Sequence, residues 1–189
     1  MERQHPTKRA AILEAASRIV HRDGVSHLTI EGVAREAGVS KGGVLYHFPN
    51  KDALIEGMLN AFHEHFRARL NEELAKQDDT PGRWLRAFAQ TSCNLSGYEP
   101  DFISGLIAAL SNNPVLLEST RKEFLYYQQC AEQDGLPRAY ATILRLAIDG
   151  LWFADLFHFA SPEGAFRDEV RCLLQDMARP DFSLSQRRS

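Results

Sequence analysis

The stretch VSKGGVLYHFPNK, residues 39–51, gathers the side chains with the most capacity for binding chemistry. Lys41 and Lys51 supply ammonium groups, Tyr46 and His47 carry polar tips, and Gly42 and Gly43 stand side by side with no side chains at all. Lys51 falls at the start of a helix whose free backbone N–H groups also favour an anion, so side chain and helix end can grip one phosphate. The bland alternative is a solvated surface lysine. Each glycine costs a helix interior about 1 kcal/mol relative to alanine. The surroundings should therefore want the missing side chains, either as clearance for something that approaches closely or for packing against the preceding helix.

The elements that must position these residues are helices. From Thr7 to Asp23 the apolar residues Ile12, Ala15, Ala16, Ile19 and Val20 recur at three- and four-residue steps, one stripe of an amphipathic helix, and Gly24 supplies a stop. Thr29 can cap a short helix with Glu31 in its first turn and Ile30, Val33 and Ala34 facing inward, and Gly38 ends it. Ser40 can cap a second short helix from Lys41 to Phe48, with Val44 and Phe48 as inward anchors. Pro49 marks where that helix yields, and Asn50 can cap the next. Helix, tight turn, helix over residues 29–48 is the outline of a helix-turn-helix; the competing reading is an ordinary hairpin inside a bundle.

Charge separates this region from the rest. Residues 1–51 hold eight Lys/Arg against five Asp/Glu, a net of +3, while the remainder of the chain carries −6 to give the total of −3. A basic head on an acidic body suits binding of a polyanion.

Over TIEGVAREAGVSKGGVLYHFPNKDAL the sequence resembles the DNA-binding head of the TetR family of transcriptional regulators. The resemblance rests on Thr29, Ala34, Gly38, Val39, Ser40, Tyr46, His47, Phe48, Lys51 and Leu54, and covers roughly the first 60 residues. It implies a homodimer whose paired heads bind a palindromic double-stranded DNA operator, and a pocket in each body that releases DNA when a small molecule enters. By position it places Thr29, Ser40, Tyr46, His47 and Lys51 at phosphate contacts, and Lys41 and Gly42 at the base-reading start of the recognition helix. Gly43 and Leu45 depart from the family's pattern.

The residues themselves leave several of these roles open. Lys41 could reach a guanine edge or only a phosphate, and Leu45 could touch a thymine methyl or pack inward. Tyr46 and His47 point about 100° apart on a helix, so both reach the backbone only if the helix lies in the groove. For each, packing is the alternative, and for His47 it is nearly as strong.

The implied architecture is all-α. A three-helix head with the helix-turn-helix (residues 1–51) precedes a larger helical ligand-binding and dimerisation body (52–180) and a loose polar tail (181–189). Body helices are expected over 52–76, 83–95, 101–110, 115–133, 137–160 and 163–178, punctuated by QDDTPG, GYEP, SNNP, DGLP and SPEG. Trp84, Phe88, Phe102, Ile103, Leu106, Tyr126, Tyr127 and Trp152 are core residues or the walls of a pocket for an apolar or aromatic effector. The helix over 137–160 is apolar around much of its circumference, which makes Leu144, Ile148 and Leu151 dimer-interface candidates, with Asp155 and His158 a satisfied pair there or, less simply, ligands. His63 and His65 are read as surface residues.

Other classes find little support. Cys93, Cys130 and Cys172 lie far apart with no CxxC pair, which argues against a zinc site or a disulfide framework. There is no GxSxG, HExxH or GxxxxGK, so no enzyme, metal or cofactor is expected. The opening MERQHPTKR lacks the apolar run of a secretory signal and no later segment approaches a membrane span, so a cytoplasmic protein is expected. The competing functional reading is a helical ligand-binding or enzymatic bundle with a purely structural hairpin.

Overall fold

The computed structural model describes residues 7–94, 103, 105–107 and 114–182. Its bounded elements are α1 (Lys8–Asp23), a short 3-10 helix (Val25–His27), α2 (Ile30–Ala37), α3 (Lys41–His47), α4 (Lys51–Leu74), α5 (Arg83–Cys93), α6 (Pro114–Glu132), α7 (Arg138–Phe157) and α8 (Gly164–Met177). No strand occurs among the described residues. The all-α expectation holds, and the helices end within a few residues of where propensity and punctuation place them. Of the helix expected over 101–110, only residues 103 and 105–107 are described, and they are helical. Most of the expected tail, like Phe102, lies outside the described residues.

The chain packs as two compact units, one of residues 1–63 and 98–121, the other of 64–97 and 122–189. The expected boundary at residue 51 thus differs from the division by packing, because the first half of α4 buries Leu54, Ile55, Met58, Leu59 and Phe62. His63 on the same helix is buried, contrary to the surface reading.

In the first unit Thr29, Ser40 and Asn50 cap as the sequence offers, and Thr7 adds a cap to α1. Thr7 Oγ1 accepts from Ala10 N at 3.2 Å, Thr29 Oγ1 from Gly32 N at 3.0 Å, Ser40 Oγ from Gly43 N at 3.0 Å and Asn50 Oδ1 from Ala53 N at 2.8 Å. Gly38 closes α2 in the left-handed conformation at φ 67°. The stripe of α1 is buried, together with Leu28, Val33, Ala34, Val44 and Phe48. On the outside, Glu36 of α2 receives Arg18 of α1 at 2.8 Å and Arg22 at 3.4 Å.

Close packing in this unit relies on a glycine other than the pair in α3. A Cβ on Gly57 of α4 would stand 2.6 Å from Phe48 Cε1 and 3.3 Å from Leu13 Cδ2, so the bare backbone there makes room for the Phe48 ring. Arg9 of α1 covers the ring, its guanidinium carbon 5.3 Å from the centroid.

The second unit is built on Phe66, Leu70, Trp84, Leu85, Phe88, Tyr127, Leu144 and Ile148. Its loops converge on the start of α5. Asp134 accepts from Trp84 N at 2.7 Å and Leu85 N at 2.8 Å, capping that helix from a distant turn, while Gly82 N donates to Asp134 O at 2.7 Å. Burial raises the Asp134 carboxyl above its usual range, against the pull of those two amides. Arg86, only 3% exposed, donates to Pro81 O, Ala178 O and Thr80 Oγ1 and pairs with Asp78. Gly82 has φ 84°, and a Cβ there would fall 1.7 Å from Ala178 O.

One expectation for the body is corrected here. Leu144, Ile148 and Leu151 are 0%, 0% and 8% exposed because they face the core of their own unit, so they are not a free interface. The outward apolar residues of α7 are Ile143 and Leu146, at 63% and 54% exposure. A helix apolar on two sides is legible in sequence; which side is turned inward is decided by tertiary packing.

Two substitutions separate these contributions. Asp134→Ala removes one cap and should cost about 1–2 kcal/mol in urea unfolding. Gly82→Ala forces a clash in a left-handed position and should lower the urea midpoint by more. Equal midpoints for Gly82→Ala and wild type would contradict the close approach to Ala178.

Candidate nucleic-acid interface

The turn between α2 and α3 is closed by Gly38 N to Arg35 O at 3.2 Å and Val39 N to Ala34 O at 2.9 Å. With Val44 at 0% and Phe48 at 3% exposure holding α3 from beneath, Lys41, Gly42 and Tyr46 are turned outward. Thr29, Ser40, Lys41, Gly42 and Tyr46 are exposed, and Gly43, Leu45, His47 and Lys51 are half-buried. All nine expected contact residues therefore lie on one short helix-turn-helix or at the start of the helix that follows it.

Each polar group retains capacity for an outside partner. Thr29 and Ser40 use their oxygens as acceptors for the caps, which leaves each hydroxyl proton free to be donated. Lys51 Nζ donates to Val25 O at 3.1 Å, one of its three protons. Tyr46 is 85% exposed, its ring meeting that of His47 edge-on at 5.1 Å. Lys41 Nζ lies 2.6 Å from Glu31 Oε1 in the first turn of α2. The hydrogen bond from Lys41 is the main reason that the Glu31 carboxyl sits below its usual range.

The paired glycines can now be judged. A Cβ on Gly42 would meet only Ser40 Oγ at 3.9 Å, and one on Gly43 only Ser40 Oγ at 3.4 Å and Val39 side-chain atoms at 3.7 Å and beyond. No atom of α2 is near either, so packing against the preceding helix does not explain them. The helix carries a conformational cost that the molecule's own packing does not require.

The body candidates divide. Trp84, Phe88 and Tyr127 are brought together: Trp84 stacks on Phe88 at 4.7 Å, and Tyr127 lies 5.4 Å from Phe88. Ile103 and Leu106 are buried in the other unit, Tyr126 is 48% exposed, and Trp152 is half-buried against Phe153 at 4.8 Å. Phe66, 5.6 Å from Tyr127, Phe124 at 6.1 Å and the Glu123 carboxylate also lie about Tyr127. Glu123 could have been found by spacing, since it lies four residues before Tyr127 on one helix, whereas Phe66 comes from another helix and had no local signal. Burial first, then the Glu123 charge, drives the Tyr127 phenol far above its usual range.

Asp155 is committed to Arg167 at 2.8 Å and to Ser161, and His158 ends α7 in the left-handed conformation at φ 55°. Among the described residues no group of three His, Cys, Asp or Glu could hold a metal. The three cysteines are free thiols, and burial pushes Cys93 up, away from reactivity.

Comparison with known proteins adds an independent line. Residues 12–58 match the family model described as bacterial regulatory proteins, tetR family, and residues 82–179 match a tetracyclin repressor-like C-terminal domain. The HTH-type transcriptional regulator TtgR of Pseudomonas putida is 41% identical over 56 residues, 30% of this chain and 27% of TtgR. The match therefore spans about a quarter of that relative's length. A transcriptional regulator from Streptomyces coelicolor, SCO7518, superposes with a TM-score of 0.72 at 21% identity, covering 92% of this chain and 99% of its own. The multidrug binding protein EbrR, in complex with imidazole, does so at 0.69 and 22%, covering 92% and 90%.

Gly42→Leu tests the clearance directly. Leucine relieves the helical cost of glycine, about 1 kcal/mol, so the thermal midpoint should stay or rise, while affinity for duplex DNA should fall at least about tenfold. Undiminished DNA binding in the stable variant would rule the clearance out.

Proposed function

The chain belongs to the TetR family of bacterial regulatory proteins, and from that premise we propose that it is a homodimeric transcriptional repressor. Its paired heads bind a palindromic operator in the cytoplasm, and a small apolar or aromatic effector releases them. The functional division is a head over residues 1–51 and a body over 52–180. The chain acts by binding, not catalysis. The observation that carries this reading is the exposed set of Thr29, Ser40, Lys41 and Tyr46, with the half-buried His47 and Lys51 beside them, around two glycines that the fold itself does not need.

In this reading the first turn of α3 enters the major groove, where bare backbone at Gly42 and Gly43 lets the helix approach the base edges. Lys41 leads, with Leu45 one turn later. Thr29, Ser40, Tyr46, His47 and Lys51 fix the register on phosphates, and the α4 N-terminus adds its own N–H groups at Lys51.

Dimerisation is assigned to the outward face of α7, where Ile143 and Leu146 are exposed beside the exposed Ala147 and Gly150, with Phe166 of α8 62% exposed. Small residues between large apolar ones let a second helix approach closely. Such a patch on an isolated chain is a candidate for burial by a partner.

The effector is assigned to the aromatic cluster of Trp84, Phe88 and Tyr127 with Phe66. Tyr127 supplies a buried hydroxyl beside the Glu123 carboxylate, a polar handle for a ligand in an otherwise aromatic cluster. Coupling runs along α4, one continuous helix that begins at Lys51 and carries Phe66 and Leu70 in the aromatic core. An effector shifts the equilibrium only if it binds the two head arrangements with different affinity.

The combined variant Lys41→Ala, Tyr46→Ala, Lys51→Ala should keep its helical circular dichroism and lose affinity for a bound genomic duplex by about a hundredfold or more. Unchanged binding would leave the helix-turn-helix a structural hairpin. Ile143→Asp with Leu146→Asp should halve the sedimentation mass and weaken operator binding. A variant that remains dimeric would reject this face as the interface.

A further inference from the structure

The Lys41–Glu31 contact does something the remaining ion pairs of the head do not. Arg18 and Arg22 meet Glu36 between α1 and α2, behind the turn, where the pair fastens two helices. Lys41 is the first residue of α3, and its ammonium is held 2.6 Å from a carboxylate of α2 on the outer surface, with the side chains 58% and 60% exposed. Arg35 also draws on Glu31, less strongly than Lys41. The carboxylate thus stands two residues from Thr29 and beside Lys41, both of which are assigned to DNA.

An exposed pair of this kind adds little to folding. It has a consequence for polyanion binding instead. When Lys41 meets a phosphate or a base edge its ammonium is shared with Glu31 or withdrawn from it, and in either case the carboxylate stands as a negative charge among phosphates. We propose that Glu31 is a built-in competitor of DNA for Lys41, which lowers affinity for duplexes in general and so limits retention on DNA by charge alone. This rests on the DNA-binding reading above.

Counterion release makes the idea measurable. A lysine freed from any acid that neutralises a phosphate releases close to one condensed cation, whereas a lysine exchanged from carboxylate to phosphate releases almost none, because the carboxylate must then attract a cation of its own. Glu31→Gln removes the competitor while keeping the size and polarity of the side chain.

The test is fluorescence anisotropy with a mixed-sequence duplex of about 20 base pairs, titrated from about 50 to 200 mM salt. Glu31→Gln should bind about two- to fivefold more tightly than wild type. Its plot of log affinity against log salt should be steeper by about one unit. In a Lys41→Met background the same Glu31→Gln change should leave the slope where it was. Circular dichroism should show the same helical fold in every variant. An unchanged slope in Glu31→Gln overturns the proposal, as does weaker binding, which would make Glu31 a reader of cytosine amino groups or a positioner of Lys41. Salt-dependent binding by wild type with no effect of Glu31→Gln defeats this inference alone. Absence of duplex binding by all variants defeats the DNA-binding reading and this inference with it.

Discussion

The seat of Phe48 is the constraint on which the proposed reading surface depends. The ring is 3% exposed, lies against the bare backbone of Gly57 and is covered by Arg9, so the end of α3 is fixed between α1 and α4. Val44, one turn earlier and fully buried, fixes the rotation of the helix about its axis. Two anchors four residues apart leave a seven-residue helix no other face to present. Lys41, Gly42 and Tyr46 are outward because Val44 and Phe48 are inward. Tightness at one end of the helix is thus what allows openness at the other.

The two kinds of glycine in this region show why composition alone misleads. Gly57 lies inside a 24-residue helix and drew no notice in the sequence, yet a single added carbon there would strike Phe48 at 2.6 Å. Gly42 and Gly43 attract attention at once, yet within the folded chain nothing crowds them. The first glycine serves packing and the other two serve a surface. Telling them apart requires knowing what lies across from each, and that is a property of the fold.

Much of the head was legible because its determinants are local. Thr29, Ser40 and Asn50 cap the helices that follow them, Gly38 takes the left-handed turn, and the α1 stripe is buried, all within a few residues of the signals that predict them. The body was legible in its helices and not in its contacts. Asp134 caps α5 from about fifty residues away, and Arg86 is buried against the end of α8, pairings that no short-range pattern announces. The interface candidates Leu144, Ile148 and Leu151 failed for the same reason, since an apolar helix does not say which flank its own chain will cover. Of the pocket candidates, Trp84, Phe88 and Tyr127 converge, whereas Ile103 and Leu106 belong to the other unit. Lys41 was expected to be free for DNA, and the structure gives it a partner in Glu31, a residue read only as a favourable charge at a helix start.

The central claim is that the outward face of α3 reads a specific duplex sequence, and selection of bound sites from a random duplex library tests it most directly. The account predicts enrichment of one palindromic sequence whose half-sites are spaced by about one helical turn, 10–10.5 base pairs, or a multiple of it. A library that emerges without enrichment at moderate salt, from protein that is folded and dimeric, would contradict it.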